Sequence, residues 1–415
     1  MKRRQLLQAA ALLPGSVLSA RSIAAQAFEP GFPRLMGMNI GAKRYHEPDY
    51  QAELARYHVV ILDFFPGWRA NRGSQDPIGD AVRAIKSINP HVHIGQYSNF
   101  VEAPDAMRDK AGKLDTARWW LRNSRGERVQ WTSRWAAHDI NITDWAPEDD
   151  KGQRYPEWLV ERDYRLFHQP LPQIDIWYLD NSTSKPLSAR ADWDGDGRDE
   201  ANTDPRVARA HRRGHVAGWR RIRELQPSAW LIGNSDDVTN DEYRDQLDGV
   251  FMEALYGKSW SIGTWGGWSK VMQHYRDTLS AVRGPRLVGF GVVGNVDDYR
   301  LMRFGLASCL LDDGYFSYTD AQNQYSAAPW FDEFDADLGL PAEPPPTAAW
   351  DGPVYRRRFQ RGMALVNPSV LPKTVDVGEG YQALKGSQAP EINTGRPVRR
   401  VLVPPNDGVI LARTP

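Results

Sequence analysis

The stretch Ile174-Asp175-Ile176-Trp177-Tyr178-Leu179-Asp180-Asn181 is an apolar run of strand length that ends in a carboxylate. A second run, Gly249-Val250-Phe251-Met252-Glu253, repeats the pattern later in the chain. Each is bounded by turn-forming or polar residues, with the acid at its C-terminal end. A parallel barrel gathers the C-terminal ends of its strands at one rim, where such folds keep their chemistry. If both runs belong to one barrel, Asp180 and Glu253 meet at that rim. Two carboxylates facing one pocket is the arrangement that glycosidic bond cleavage requires.

Working outward, strand-like and helix-like segments alternate. The strand candidates are Leu35–Ile40, Val59–Phe64, Val92–Tyr97, Ile174–Leu179, Trp230–Gly233, Val250–Ala254, Leu287–Val292 and Tyr315–Tyr318. Helix-like stretches between them include Ile78–Ile88, Trp158–Phe167, Arg206–Leu225, Trp268–Val282 and Asp298–Leu311. This alternation predicts an α/β chain with a (β/α)8 barrel over residues 28–340. No glycine-rich phosphate loop follows the first strand, which argues against a dinucleotide fold. The longest gap, from Tyr97 to Ile174, must hold an inserted hairpin or lid as well as a helix. Trp119, Trp120, Gly126 and Trp131 fall inside it, so the insertion is expected to overhang the pocket.

The run Pro341-Ala342-Glu343-Pro344-Pro345-Pro346 reads as a boundary. Beyond it lie short β-like pieces, Tyr355–Phe359, Gly362–Val366, Thr374–Val377, Val398–Leu402 and Val409–Leu411. They predict a small antiparallel, sandwich-like β-domain over 347–415 that caps the barrel.

The first residues combine Lys2-Arg3-Arg4, an apolar run and Ala25-Gln26-Ala27. A basic start, a short apolar core and an A-x-A site predict a signal peptide over 1–27. The adjacent arginines fit the twin-arginine route, which places the mature chain in the periplasm or outside the cell. No later segment approaches the roughly 20 apolar residues of a membrane span. Lysine plus arginine equals aspartate plus glutamate at 52 each, so nothing points to a nucleic-acid or anionic-membrane partner. The single cysteine, Cys309, lies in an apolar stretch and reads as packing. Sixteen tryptophans favour a carbohydrate ligand, because indole faces stack on the apolar faces of sugar rings; large proteins also bury many of them.

The chemistry is assigned to Asp180 as nucleophile and Glu253 as general acid/base, with no cofactor. Asp180 is expected to be kept ionised by hydrogen bonds from its flank, and Glu253 to have its pKa raised by the apolar Phe251 and Met252. Strands four and six lie two apart around a barrel, so their rim residues can face each other. Candidate sugar-hydroxyl ligands at other strand ends are Asp63, Tyr97, Asn99, Asn181, Asn234, Asp236 and Asp320. An indole at the Thr264-Trp265 step is a further substrate contact. Each of these polar residues alone is equally compatible with a solvated rim.

A separate run, Asp192-Trp193-Asp194-Gly195-Asp196-Gly197-Arg198-Asp199-Glu200, has the D-x-D-x-D-G spacing that holds Ca²⁺ with oxygen ligands. Asp192, Asp194, Asp196 and Asp199 are the ligand candidates, with Glu200 or Asp204 as alternatives for the last position. The glutamate of a full EF-hand is missing, since Thr203 stands at loop position twelve. His91 with His93 and His211 with His215 lack the glutamate of an H-E-x-x-H site and read as packing or surface residues.

The chain resembles the hypothetical glycoside-hydrolase-like family 15, barrel proteins distinct from glucoamylases. It is more distantly similar to glycoside hydrolase family 114, the α-1,4-galactosaminidase group. The resembling residues are Trp177-Tyr178-Leu179-Asp180-Asn181 with its trailing acidic loop, Trp120 to Gly126, Asp139-Ile140-Asn141-Ile142-Thr143, Phe251-Met252-Glu253, Tyr355 to Asn367, and Pro404 to Leu411. The resemblance implies a barrel with a catalytic Asp after strand four and Glu after strand six. The substrate does not carry over with the resemblance; a polysaccharide or oligosaccharide is expected from the paired acids, the long insertion and the many aromatics. Two rival classes remain: a non-catalytic carbohydrate-binding or polysaccharide-assembly barrel, and a redox protein of the kind often exported through the twin-arginine route.

Overall fold

The computed structural model describes residues 30–41, 44–63, 76–134 and 136–414. The expected signal peptide lies outside the described residues. Eight strands form one parallel sheet in chain order: β1 (Met36–Asn39), β2 (Val59–Leu62), β3 (His93–Asn99), β4 (Ile176–Asp180), β5 (Trp230–Gly233), β6 (Gly249–Tyr256), β7 (Gly289–Gly294) and β8 (Tyr315–Asp320). The last strand returns to the first through a parallel bridge between Leu35 and Phe316, where Phe316 N donates to Arg34 O at 2.7 Å. That bridge nearly closes the sheet into a barrel, and the neighbouring helices cover its outside.

The strands are buried along almost their whole length because both faces are covered, which explains their near-continuous apolar composition. Side chains still alternate. Met36, Met38, Val59, Ile61, Ile176, Tyr178, Ile232 and Phe251 point inward and fill the barrel. Gly95 on β3 makes room for them, since a Cβ there would lie 2.4 Å from Ile61 Cδ1.

Helix starts follow local chemistry. Asp76 accepts from Gly79 N ahead of Pro77 in α1 (Pro77–Ile88), and Asp204 accepts from Arg206 N ahead of Pro205 in α2 (Pro205–Leu225). On α2, His211 and His215 are buried against Phe100, Trp219 and Tyr243, so they are packing residues. No helix among the described residues is long and apolar enough to cross a membrane.

The insertion after β3 contains a two-stranded hairpin, Glu102–Pro104 against Ala137–Asp139, and two helices, Arg108–Thr116 and Tyr155–Asp163. The expectation that its tryptophans overhang the pocket holds for only part of it. Trp119 and Trp120 are buried in the main core, with their indole N–H groups donated to Pro147 O and Asp115. Trp131 stays partly in solvent.

The C-terminal strands are β9 (Tyr355–Phe359), β10 (Gly362–Asn367), β11 (Lys373–Ala383), β12 (Pro397–Val403) and β13 (Asp407–Arg413). They form one antiparallel sheet in the order β9-β10-β13-β11-β12, which carries its own apolar core of residues such as Met363, Leu365, Val375 and Val401. The residues alternating with these, Ala364, Val366 and Ile410, join the barrel core instead. The contact runs against α3 (Tyr299–Cys309), the helix before β8. There Arg303 is fully inside and paired with Asp407 at 2.8 and 3.1 Å. Gly408 allows the approach, since a Cβ would meet Arg303 O at 2.4 Å. Cys309 is a buried free thiol on the same helix, as expected for packing.

Candidate functional site

The strand register carries Asp180 to the end of β4, opposite Asn99 on β3. Ile176, Tyr178 and Asp180 fall on one side of the strand, so the inward alternation of the barrel places the carboxylate over its mouth. On β6 the same alternation aligns Phe251 with Glu253. The register of β6 against β7 shifts between Met252 and Tyr256, and Ala254 sits at φ +48° within that irregularity. A non-glycine residue there costs on the order of 1 kcal/mol. Asn181, directly after Asp180, is likewise left-handed at φ +51°. Asp180 is thus followed by a left-handed residue at the strand end, and Glu253 by one inside the β6 irregularity.

Asn234, one residue past β5, joins the two acids. Its amide Nδ2 donates to Asp180 Oδ1 at 2.9 Å and to Glu253 Oε2 at 3.0 Å. Two tyrosines complete the set: Tyr97 donates to Asp180 Oδ2 at 2.5 Å, and Tyr325, in the loop after β8, donates to Glu253 Oε1. Burial foremost, with the Glu253 charge adding to it, pushes the Asp180 carboxyl up to about 6. The bonds from Tyr97, Asn234 and the Asn181 N–H oppose that rise without cancelling it. The donors expected to keep Asp180 ionised are therefore joined by an opposing effect that the sequence did not show. The donors are present, but withdrawal from water outweighs them.

The other rim candidates are placed as follows. Tyr97 and Asn234 address the carboxylates directly. Asn99 donates to Glu102 Oε1 at 3.1 Å, and Asn181 lies 3.5 Å from the same oxygen. Asp63 is fully buried at the end of β2, where its charge adds to the burial that raises the Tyr45 hydroxyl pKa. Asp236 ties the β5 loop to the β4 loop by accepting from Ser184 N and Oγ at 2.6 and 2.9 Å. Asp320 shapes the loop that carries Tyr325, accepting from Gln322 N and Asn323 Nδ2. Trp265, beside Thr264, stands in solvent at the end of the short helix Ile262–Trp265 that follows β6.

Two members were not found by sequence reasoning. Glu102 is a third carboxyl at the mouth, raised by burial and held by Trp131 Nε1 at 2.8 Å. Its position three residues past Asn99 was the available signal. Tyr325 carried none, because it lies in an irregular polar loop with no periodicity.

In the acidic loop, carboxylate oxygens of Asp192, Asp194 and Glu200 lie within 4.8 Å of one another. The other two expected ligands lie outside that cluster. Asp196 accepts from Arg198 N at 2.9 Å, and Asp199 accepts from Ser124 N at 2.6 Å. Asp204 is the N-cap of α2. Asp192 Oδ1 is buried without a hydrogen-bond partner among the described residues.

A barrel mouth holding two carboxylates on alternate strands is an arrangement that glycosidic bond cleavage can use. The chain belongs to the hypothetical glycosyl hydrolase family 15, whose family model matches residues 86–363. No curated protein sequence matches it. Among solved structures it is similar to a GH27 β-L-arabinopyranosidase from Geobacillus stearothermophilus, at 8% identity over 96% of this chain and 99% of that one, with a TM-score of 0.53. It is similar also to Eubacterium rectale Amy13B, at 9% identity, 96% and 99% coverage and a TM-score of 0.52. These likenesses establish the shared fold.

Proposed function

We propose that the protein is an exported glycoside hydrolase that cleaves a polysaccharide with retention, using Asp180 as nucleophile and Glu253 as general acid/base. The observation that carries this reading is the Asn234 bridge. One nitrogen 2.9 Å from the first carboxylate and 3.0 Å from the second leaves their bridged oxygens no more than about 6 Å apart. That spacing is close to the roughly 5–5.5 Å of retaining enzymes and short of the roughly 6.5–9.5 Å that admits a water in inverting ones.

In the first step Glu253 gives its proton to the leaving glycosidic oxygen while Asp180 attacks the anomeric carbon. In the second, Glu253 takes a proton from water, whose oxygen displaces Asp180. Asp180 accepts from Tyr97, Asn234 and the Asn181 N–H, donors that favour its ionised form against the burial that raises it. With its pKa near 6, Asp180 is ionised at neutral pH. The basic and apolar leader ending in Ala25-Gln26-Ala27 supports export.

Asp192, Asp194 and Glu200 would hold a hard cation such as Ca²⁺, with the orphaned Asp192 Oδ1 as the supporting observation. The cation would brace the loop that continues from Asp180 and take no part in the chemistry.

The test is reducing-end release from bacterial and fungal polysaccharides by the wild type and by Glu253→Gln. Release that the substitution abolishes supports the hydrolase. No release from any polymer, with polymer binding intact in both, would replace it with a carbohydrate-binding barrel.

A further inference from the structure

Among the described residues, the aromatic side chains that stand out in solvent are Trp131, Trp260 and Trp265, at 39%, 57% and 68% exposure. Each forgoes burial worth on the order of 2 kcal/mol. A single exposed indole needs no explanation, but these three share one end of the barrel. Trp131 is on the insertion that follows β3, and the other two are on the loop that follows β6.

The first segment is fastened to the end of β3 and the second to β6, the strand that carries Glu253. The edge of the Trp131 ring is held by Glu102 Oε2 at 2.8 Å, while Glu102 Oε1 is held by Asn99 at 3.1 Å. The N–H edge is thus fixed. On the other side, Ser261 Oγ donates to Ala254 O at 2.5 Å and accepts from Lys258 N at 3.0 Å. Thr264 Oγ1 donates to Lys258 O at 2.9 Å. The loop bearing Trp260 and Trp265 is therefore stapled directly behind Glu253.

Strands β3 and β6 are three steps apart in an eight-stranded ring, so their loops stand across the mouth from each other. Asp180, Asn234 and Glu253 come from the strands between and including β4 and β6. We propose that Trp131 on one side, and Trp260 with Trp265 on the other, are two pyranose-stacking platforms that flank the carboxylate pair. A ligand touching both is a chain of several sugars, and its cleaved bond is internal rather than terminal. This rests on the hydrolase reading above and adds to it the side chains that hold the polymer and the position of cleavage.

The test uses the wild type, Trp131→Ala and Trp265→Ala in affinity gels cast with pullulan, dextran, xylan, galactomannan or chitosan. Viscometry is then set against reducing-end release on each polymer that retards the wild type. The expected result is retardation by at least one polymer and a roughly tenfold weaker Kd in each variant, which corresponds to about 1.4 kcal/mol. Viscosity should fall well ahead of reducing-end release, and each variant should raise KM on the polymer while keeping kcat. Unchanged retardation of both variants, no retardation of the wild type in any gel, or release of terminal sugars alone overturns the proposal. Retardation that the variants weaken, without turnover by the wild type, removes the hydrolase reading and leaves the platforms standing.

Discussion

Asp180→Asn should make the protein more stable at neutral pH while abolishing its proposed activity, and the size of the gain follows from the geometry. The carboxyl is raised from 3.8 to about 6, with burial the largest cause and the charge of Glu253 next among those that raise it. Below pH 3.8 it is neutral in both the folded and unfolded chain and exerts no penalty. Between 3.8 and about 6 the unfolded chain gives up its proton while the folded one retains it, so stability falls as pH rises. Above about pH 6 the full penalty applies: two units at 1.36 kcal/mol each, or about 3 kcal/mol. Two deductions apply. The side chain keeps partial contact with solvent at the mouth, and an amide cannot accept from Tyr97 and Asn234 at once, which forfeits about 1 kcal/mol of hydrogen bonding. The expected net gain is about 2 kcal/mol at pH 8, shrinking to nothing or reversing near pH 4. Urea unfolding of wild type and variant at both pH values measures it, with no substrate needed. A variant less stable than wild type at pH 8, or a difference that does not change with pH, would refute the argument that burial dominates this carboxyl.

Two further outcomes are expected. If Asp192, Asp194 and Glu200 hold Ca²⁺, an excess of about a hundredfold over Kd should stabilise the chain by about 2.7 kcal/mol, seen as a calcium-dependent Tm that Asp192→Ala removes; a Tm indifferent to EGTA would dismiss the site. Arg303→Met should destabilise by roughly 3–5 kcal/mol, because it strands the buried Asp407 between α3 and the C-terminal sheet, and Arg303→Met/Asp407→Leu should recover much of that loss in the same denaturation assay.

The order of the eight strands, the acids on β4 and β6, and the β-rich C-terminus were all legible in the sequence, although β6 runs on past Glu253 to Tyr256. They rest on local periodicity and on turn-forming boundaries, which act over a few residues. The acidic loop was legible as a cluster, but its membership was not. Whether Asp196, Asp199 or Glu200 faces Asp192 depends on which backbone N–H groups each carboxylate meets after the loop folds.

Only the tertiary structure decided the electrostatics of the site. Asn234 looked like one more rim amide, and its part in bridging Asp180 to Glu253 requires three strands in register. Tyr325, 72 residues from Glu253, and Glu102, 78 residues from Asp180, reach the mouth through loops whose paths no local pattern encodes. The rise in the Asp180 pKa was hidden for the same reason. A sequence names the donors next to a carboxylate, but the water excluded from around it depends on every strand of the barrel at once.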